Sequence, residues 1–325
     1  MVQDLLDHFD DQLPLERAHT IPASWYHDPE LAGRERKHVF GRGWQLVGRG
    51  DAVARPGTFF TFDLAGEPIL VVRDASGILR AFYNVCRHRA ARVMVQEQGD
   101  CTRLRCRYHG WTYDLEGRLR GTPEFDGVRD FSREDHGLVS LPVSEWGPLV
   151  FVHPGPAPQQ SLADWLAPLE RWQFLSRMAD LRFFARKEYR LACNWKVFVD
   201  NYLDGGYHVN TVHPGLAGII DYSRYRNELA ENLSVQISPL SPPGEQDGVA
   251  AVRQGDCAYY AWIFPNWMLN LYQGVMDTNL VLPDGPDACR VIFDFYFADK
   301  GAGESDAYRE QSLAVAHQIQ LEDVG

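Results

Sequence analysis

Two short pairs of metal-ligating side chains constrain this chain more than any other feature. Cys86 and His88 form a Cys-x-His pair, Cys106 and His109 form a Cys-x-x-His pair, and seventeen residues lie between them. Each spacing lets one tight turn deliver two ligands to one place. Two cysteines with two histidines suit tetrahedral zinc. They also suit a two-iron, two-sulfur cluster in which histidines replace two cysteines on one iron. Spacing separates the two. The usual zinc-finger order is both cysteines, then both histidines. Here each loop carries one of each, so each loop serves both irons.

The flanks of these loops read as β-structure. From about Trp44 to His153 short runs rich in Phe, Val and Ile break at Ala65-Gly66, Ser76-Gly77 and Glu116-Gly117. The proline-rich stretch HPGPAPQQ, residues 153–160, marks a boundary. Beyond it Ser161 caps a predicted helix, LRFFARKEYRLA reads as a strand, and Asn194 caps a helix through WKVFVDNYLDGG that stops at glycines. Residues 257–299 are strand-like and aromatic with a turn at Pro283-Asp284-Gly285, and SDAYREQSLAVAHQIQLEDVG reads as a terminal helix. No internal repeat is evident. The pattern predicts an α+β chain, with a small β domain beside a larger mixed domain.

A second histidine pair follows. His208 and His213 lie five positions apart. On an unbroken helix that separation turns them about 140° from each other. They converge on one ion only where the helix ends, as Gly205, Gly206 and Pro214 allow. A one-electron carrier has no substrate of its own, and two histidines with one carboxylate form the usual mononuclear iron(II) site for oxygen activation.

The remaining cysteines, Cys101, Cys193, Cys257 and Cys289, are too sparse for a disulfide framework. The formal net charge of −12 argues against a nucleic-acid binder. No apolar run approaches the roughly 20 residues that span a bilayer, and the acidic start MVQDLLDHFDDQ does not read as a targeting peptide. A cytoplasmic protein follows as the expectation. Residues 81–111 hold six arginines against Glu97 and Asp100, a local charge of +4. Such a patch suits an acidic electron donor or raises the potential of a cluster. GRGWQL, residues 41–46, fails the dinucleotide fingerprint.

C-x-H-x17-C-x-x-H followed by Gly-Trp, with NWKVFVDNYLDGGYHVNTVH downstream, resembles the Rieske non-haem iron oxygenases over nearly the whole chain. The resemblance implies a Rieske-type β domain over 44–155. A helix-grip (START-like) catalytic domain with an antiparallel sheet would cover 156–325, and an N-terminal helical segment, 1–43, would pack against it. It implies a [2Fe–2S] cluster on Cys86, His88, Cys106 and His109, and mononuclear Fe(II) on His208, His213 and Asp323, with Glu322 as the alternative third ligand. Many relatives carry a bridging carboxylate three residues before the first histidine. Gly205 stands there in this chain, so Asp204 takes that role as the expectation, with Asp200 and Asn201 nearby. Electrons would come from NAD(P)H only through a partner flavin or ferredoxin-type reductase, in a homotrimer, to activate O2 beside a small-molecule substrate.

The glycine-rich form DNYLDGGYHV resembles the choline-monooxygenase branch of the family. That implies hydroxylation or N-demethylation of a quaternary ammonium compound. Tyr260, Trp262, Phe264, Trp267 and Tyr272 are candidate rings for a cation–π cage. The alternatives are hydroxylation of an aromatic ring or acid, and a Rieske electron carrier or redox sensor.

Overall fold

A computed structural model describes residues 6–7, 9–155, 157–206, 221–240, 252, 255–298 and 306–324, with 323 and 324 described by backbone only. The chain forms two compact units, Arg36–Leu175 and the combination of Met1–Glu35 with Ser176–Gly325.

The first unit is built of antiparallel β-structure. β2 (Thr58–Leu64), β3 (Glu67–Arg73) and β4 (Leu79–Tyr83) form a meander extended by β5 (Gln98–Asp100) and β9 (Ser140–Leu141). β6 (Leu104–Arg105), β7 (Thr112–Tyr113) and β8 (Leu119–Gly121) form a small second sheet. A third sheet pairs β11 (Leu149–Val152) with β1 (Gln45–Arg49) and β10 (Val143–Trp146). Ile69 to Val72 are fully buried, so the centre of β3 is covered on both faces. Turns fall where the glycines predict them, at Ala65-Gly66 and beside Gly77 and Gly117, all with positive φ.

One local design appears twice. Asp74-Ala75-Ser76-Gly77-Ile78-Leu79-Arg80 and Asp114-Leu115-Glu116-Gly117-Arg118-Leu119-Arg120 share the pattern D-x-x-G-x-L-R. In each, the leading aspartate accepts backbone N–H groups from the residues two and four further on, at 2.9–3.0 Å. Its second oxygen receives the Nε of the closing arginine at 2.7 Å. Sequence reading found both turns and missed that they repeat, because only four of seven positions are shared. Gly117 is obligatory on two counts. Its φ is +82°, and a Cβ there would meet the Phe82 ring at 2.4 Å.

The second unit is a seven-stranded antiparallel sheet, in the order β12-β18-β17-β16-β15-β14-β13. Its strands are β12 (Leu181–Leu191), β13 (Arg226–Ala230), β14 (Leu233–Pro239), β15 (Cys257–Ile263), β16 (Trp267–Tyr272), β17 (Val275–Pro283) and β18 (Cys289–Ala298). Unbroken pairing registers from β14 to β18 put Gln236, Tyr260, Asn270, Asp277, Phe295 and Tyr189 on one face. That face receives helices. The Tyr202 hydroxyl, from the Trp195–Asp204 helix, donates to Asn270 Oδ1 at 2.7 Å. The Tyr189 hydroxyl meets His317 Nδ1, on the terminal helix Asp306–Val324, at 2.8 Å. An antiparallel sheet holding helices against one face is the expected helix-grip arrangement.

Asn194 caps the Trp195–Asp204 helix as its sequence predicts, accepting the Lys196 N–H at 3.0 Å. The N-terminal segment holds the same helix. Glu35 accepts Lys196 Nζ at 2.7 Å and Trp195 Nε1 at 3.0 Å, and the Tyr26 carbonyl accepts Asn194 Nδ2 at 3.0 Å. Among the described residues no helix is long and apolar enough to cross a membrane.

The two aspartate turns differ in burial. The Asp74 side chain is 3% exposed and that of Asp114 is 24% exposed. Burial alone would raise the Asp74 carboxyl, but the Ile78 and Ser76 N–H groups and Arg80 outweigh it and hold the carboxyl below its usual range. Its contribution to stability is therefore present above the ordinary carboxylate pKa and is lost as pH falls through the lowered value. Asp74→Ala is expected to destabilise the unit by about 3 kcal/mol, and Asp114→Ala by about 1 kcal/mol. Urea unfolding at neutral pH checks both, and equal losses would contradict the assignment.

Candidate metal centres

The two Cys-His loops have one backbone plan. The Cys86 N–H donates to the Ala91 carbonyl at 2.8 Å, and the Ala90 N–H returns to the Cys86 carbonyl at 3.0 Å. The Cys106 N–H donates to the Trp111 carbonyl at 2.9 Å, and the Gly110 N–H returns to the Cys106 carbonyl at 3.0 Å. The fifth residue of each loop, Ala90 and Gly110, takes positive φ. Only the histidine differs, third in one loop and fourth in the other.

The loops bring all four candidate side chains together as two pairs. Cys86 and Cys106 are buried, with their sulfurs in hydrogen-bonding range. The rings of His88 and His109 lie 4.8 Å apart at the rim. Trp111 is buried and stacks on His88 at 4.9 Å, fixing its plane. The Tyr113 hydroxyl accepts the Arg87 N–H at 3.1 Å, which leaves its own proton for the Cys86 sulfur 3.4 Å away.

This arrangement fits a two-iron cluster better than one ion. Among the described residues no three His, Cys, Asp or Glu side chains converge as ligands of a single metal. A sulfur pair inside and an imidazole pair outside match one iron of each kind. Burial, His109 and Arg89 push the His88 imidazole below its usual range. That favours the neutral ring, the form that binds metal. Burial and the facing Cys86 raise the Cys106 thiol, a cost that a cluster offsets by drawing the thiolate.

The second candidate centre is only partly visible. His208 and His213 lie outside the described residues. Asp323 is placed on the terminal helix Asp306–Val324, and only its backbone is described. Two imidazoles and a carboxylate remain a donor set suited to Fe(II). Asp204 is the last residue of the Trp195–Asp204 helix and is exposed. Asp200, one turn earlier, accepts a short hydrogen bond from the Tyr26 hydroxyl.

The helix stops for a stated reason. Gly205 has φ +54°, and a Cβ there would meet Gln236 Oε1 at 2.2 Å and the Tyr225 hydroxyl at 2.3 Å. Those two groups close the helix end. Gln236 Nε2 donates to the Tyr202 carbonyl at 2.8 Å. Tyr225 accepts the Gly206 N–H and donates to Gln236 Oε1. Burial pushes the Tyr225 hydroxyl up to about 12. A carboxylate at position 205 has no room.

The helix-facing side of the sheet sorts the aromatic residues. Tyr260, Trp262 and Tyr272 share it, and the Tyr272 hydroxyl donates to that of Tyr260 at 3.0 Å. Trp267 pairs with Ile263 and lies on the opposite face, buried in the core. Phe264 sits in the β15–β16 turn and is exposed. Five candidate rings therefore reduce to three. The same face carries a carboxylate that sequence reading passed over. Asp277 is 3% exposed and accepts Asn270 Nδ2 at 2.7 Å. Asn279, with its amide nitrogen turned inward, reaches it at 3.1 Å. A lone acid within the strand run VMDTNLVLP was the available signal.

Known proteins match this geometry. Residues 43–132 match the Rieske [2Fe-2S] domain, and residues 178–325 match the ring hydroxylating alpha subunit (catalytic domain). Choline monooxygenase of Arabidopsis thaliana is 39% identical over 99% of this chain and 78% of its own length. This chain belongs to the Rieske oxygenases. It is thus a Rieske non-haem iron oxygenase chain with a [2Fe–2S] domain and a mononuclear-iron catalytic domain.

The carnitine monooxygenase oxygenase subunit of Escherichia coli (strain K12) is 29% identical over 94% of this chain and 84% of its own length. A solved quaternary ammonium Rieske monooxygenase superposes with a TM-score of 0.82 at 26% identity, over 94% of this chain and 83% of that one. Naphthalene 1,2-dioxygenase from Rhodococcus shares the fold, with a TM-score of 0.78 at 22% identity, over 94% of this chain and 81% of that one.

Gly205→Ala tests the closed helix end. The left-handed backbone costs a non-glycine residue about 1–2 kcal/mol, and overpacking adds about 1–3 kcal/mol. A loss of roughly 2–4 kcal/mol in thermal or urea unfolding is expected. A neutral substitution would refute the tight contact with Tyr225 and Gln236.

Proposed function

We propose that this oxygenase hydroxylates or N-demethylates a small quaternary ammonium compound. The observation that carries the reading is the helix-facing sheet surface, where Tyr260, Trp262 and Tyr272 share one side with the buried carboxylate of Asp277. Ring faces attract a cation through their quadrupole, and a carboxylate adds attraction in a site of low dielectric. The likeness to the choline and carnitine monooxygenases supports the same class.

In this reading Cys86, His88, Cys106 and His109 hold the cluster, and His208, His213 and Asp323 hold the iron. The cluster supplies single electrons, and the iron supplies a place where O2 is activated beside substrate. The protein's own contribution is positioning. Tyr113 steadies the Cys86 thiolate, Trp111 orients His88, and Tyr225 with Gln236 fixes where the helix ends ahead of His208. Asp204, exposed at that end, takes the bridging role that Gly205 leaves open. The chain works as a cytoplasmic homotrimer in which electrons cross between subunits. A separate flavin or ferredoxin-type reductase draws them from NAD(P)H, and the arginines around the cluster loops suit an acidic donor. The N-terminal segment serves the catalytic domain, and the compact units shift the limits read from sequence, 43 and 155, to Glu35 and Leu175.

A single turnover tests the substrate class. The iron-loaded, reduced protein is mixed anaerobically with choline, carnitine, betaines and aromatic acids, then with O2, and products are identified by mass. An oxygenated or demethylated ammonium product is expected. A hydroxylated aromatic acid in its place would overturn the substrate assignment and leave the oxygenase chemistry standing.

The cluster assignment has its own test. A hydrogen bond to a ligand sulfur stabilises the reduced, more negative cluster. Tyr113→Phe removes one worth about 0.5–1.5 kcal/mol, so the midpoint potential is expected to fall by roughly 20–60 mV. Protein-film voltammetry reads it, and an unchanged potential would remove Cys86 from the ligand set.

A further inference from the structure

We infer that Cys193 and Cys289 form an oxidative modification site, a thiol pair that hydrogen peroxide converts to a disulfide. Their sulfurs lie 4.0 Å apart. Nothing in the oxygenase reaction uses them, and they stand well apart in sequence from the loops that carry Cys86 and Cys106.

The backbone enforces the proximity. Cys289 opens β18 and pairs with Leu191 on one side and Pro283 on the other. Cys193 follows two residues after Leu191 and immediately precedes the helix cap Asn194. Asn194 Nδ2 donates to the Pro286 carbonyl at 2.7 Å, which ties that segment to the β17–β18 turn. The turn is closed by the Asp284 N–H on the Ala288 carbonyl at 2.9 Å. Both segments are thus held from two directions, and the disulfide forms when the sulfurs close from 4.0 Å to a bond length of about 2.05 Å. The pair does not read as a metal site, since among the described residues no third ligand joins it.

The two thiols differ in access. Cys193 is half-buried and Cys289 is buried. Burial, then the neighbouring Cys193, pushes the Cys289 thiol up to about 12. Oxidation therefore begins at Cys193. Its sulfur attacks peroxide, the O–O bond breaks, and Cys193 becomes a sulfenic acid with release of one water. The Cys289 sulfur then displaces hydroxide from that sulfenic acid, and its own proton leaves with the hydroxide as a second water. One peroxide is reduced to two waters, and the two sulfurs together lose two electrons. Two-electron reduction of O2 yields peroxide, so an oxygenase that consumes electrons without oxidising substrate generates this oxidant locally. The bond would fasten the residue before the helix cap to the β17–β18 hairpin.

The test uses the cluster-loaded, full-length protein. It is exposed to hydrogen peroxide while the visible absorption of the cluster is followed, then denatured, alkylated and mapped without reduction. The expected result is one cross-linked peptide pair, Cys193 with Cys289, that dithiothreitol returns to two alkylatable thiols. Cys101 and Cys257 serve as internal controls. In Cys193→Ser, Cys289 is expected to remain a free thiol after the same treatment. Recovery of both residues as alkylated thiols from the oxidised wild type would overturn the proposal. So would Cys193 as a sulfinic acid beside free Cys289, or Cys289 bridged elsewhere in the variant.

Discussion

The first unit depends on backbone hydrogen bonds that present four side chains before any metal is bound. Hydrophobic packing buries Cys86 and Cys106 in the core with Leu104, Trp111 and Tyr113, but it does not set the two imidazoles beside them. The loops solve this with geometry. Each is closed by one N–H from its cysteine and one N–H to it, with a left-handed residue at the fifth position. The aspartate-centred turns beside them hold the adjoining hairpins in the same manner, by directing a carboxylate onto backbone N–H groups. Short loops on rigid strands then need few further contacts, and the arginine-rich surface stays free of the core.

A second constraint governs the other unit. Histidines five residues apart cannot serve one ion from an intact helix, so the helix must end before them, and its orphan carbonyls must find donors. Gln236 supplies one from the sheet, and Tyr225 takes the next N–H. The solution occupies the space a side chain at 205 would need. The absence of the expected carboxylate three residues before His208 is therefore a packing consequence. The nearest carboxylates before His208 are those of Asp204 and Asp200, on the helix itself.

Much of this was legible in the chain. Ligand spacing marked the four side chains that the two loops bring together, turn glycines marked the hairpins, Asn194 marked the helix start, and the family resemblance marked the α+β fold and the oxygenase chemistry. What stayed hidden depends on register. Alternation alone could not say that Trp262 and Tyr272 share a face while Trp267 lies opposite, because the β15–β16 turn length sets that relation. The partner of Asp277 stayed hidden for the same reason: Asn270 lies on a neighbouring strand, and only pairing brings the amide to the carboxylate. The repeated aspartate turn escaped because only four scattered identities carry it.

The cysteines show that surroundings, more than residue type, decide chemistry. Cys86 and Cys106 face each other in loops that also carry a facing pair of imidazoles, and Cys86 meets the Tyr113 hydroxyl, which suits thiolate bound to iron. Cys101, partly buried and beside Asp100, is pushed to about 11 and has no such company, which keeps it a protonated, poorly nucleophilic thiol. Cys193, two residues beyond the end of β12, and Cys289, which opens β18 opposite Leu191, bring their sulfurs to 4.0 Å. Among the described residues no third ligand joins this pair, so it does not read as a metal site, and an oxidant reaches it through the more open sulfur of Cys193. The same side chain is thus a candidate ligand, a spectator or a modification site according to whether a ring, a carboxylate or a second sulfur lies beside it.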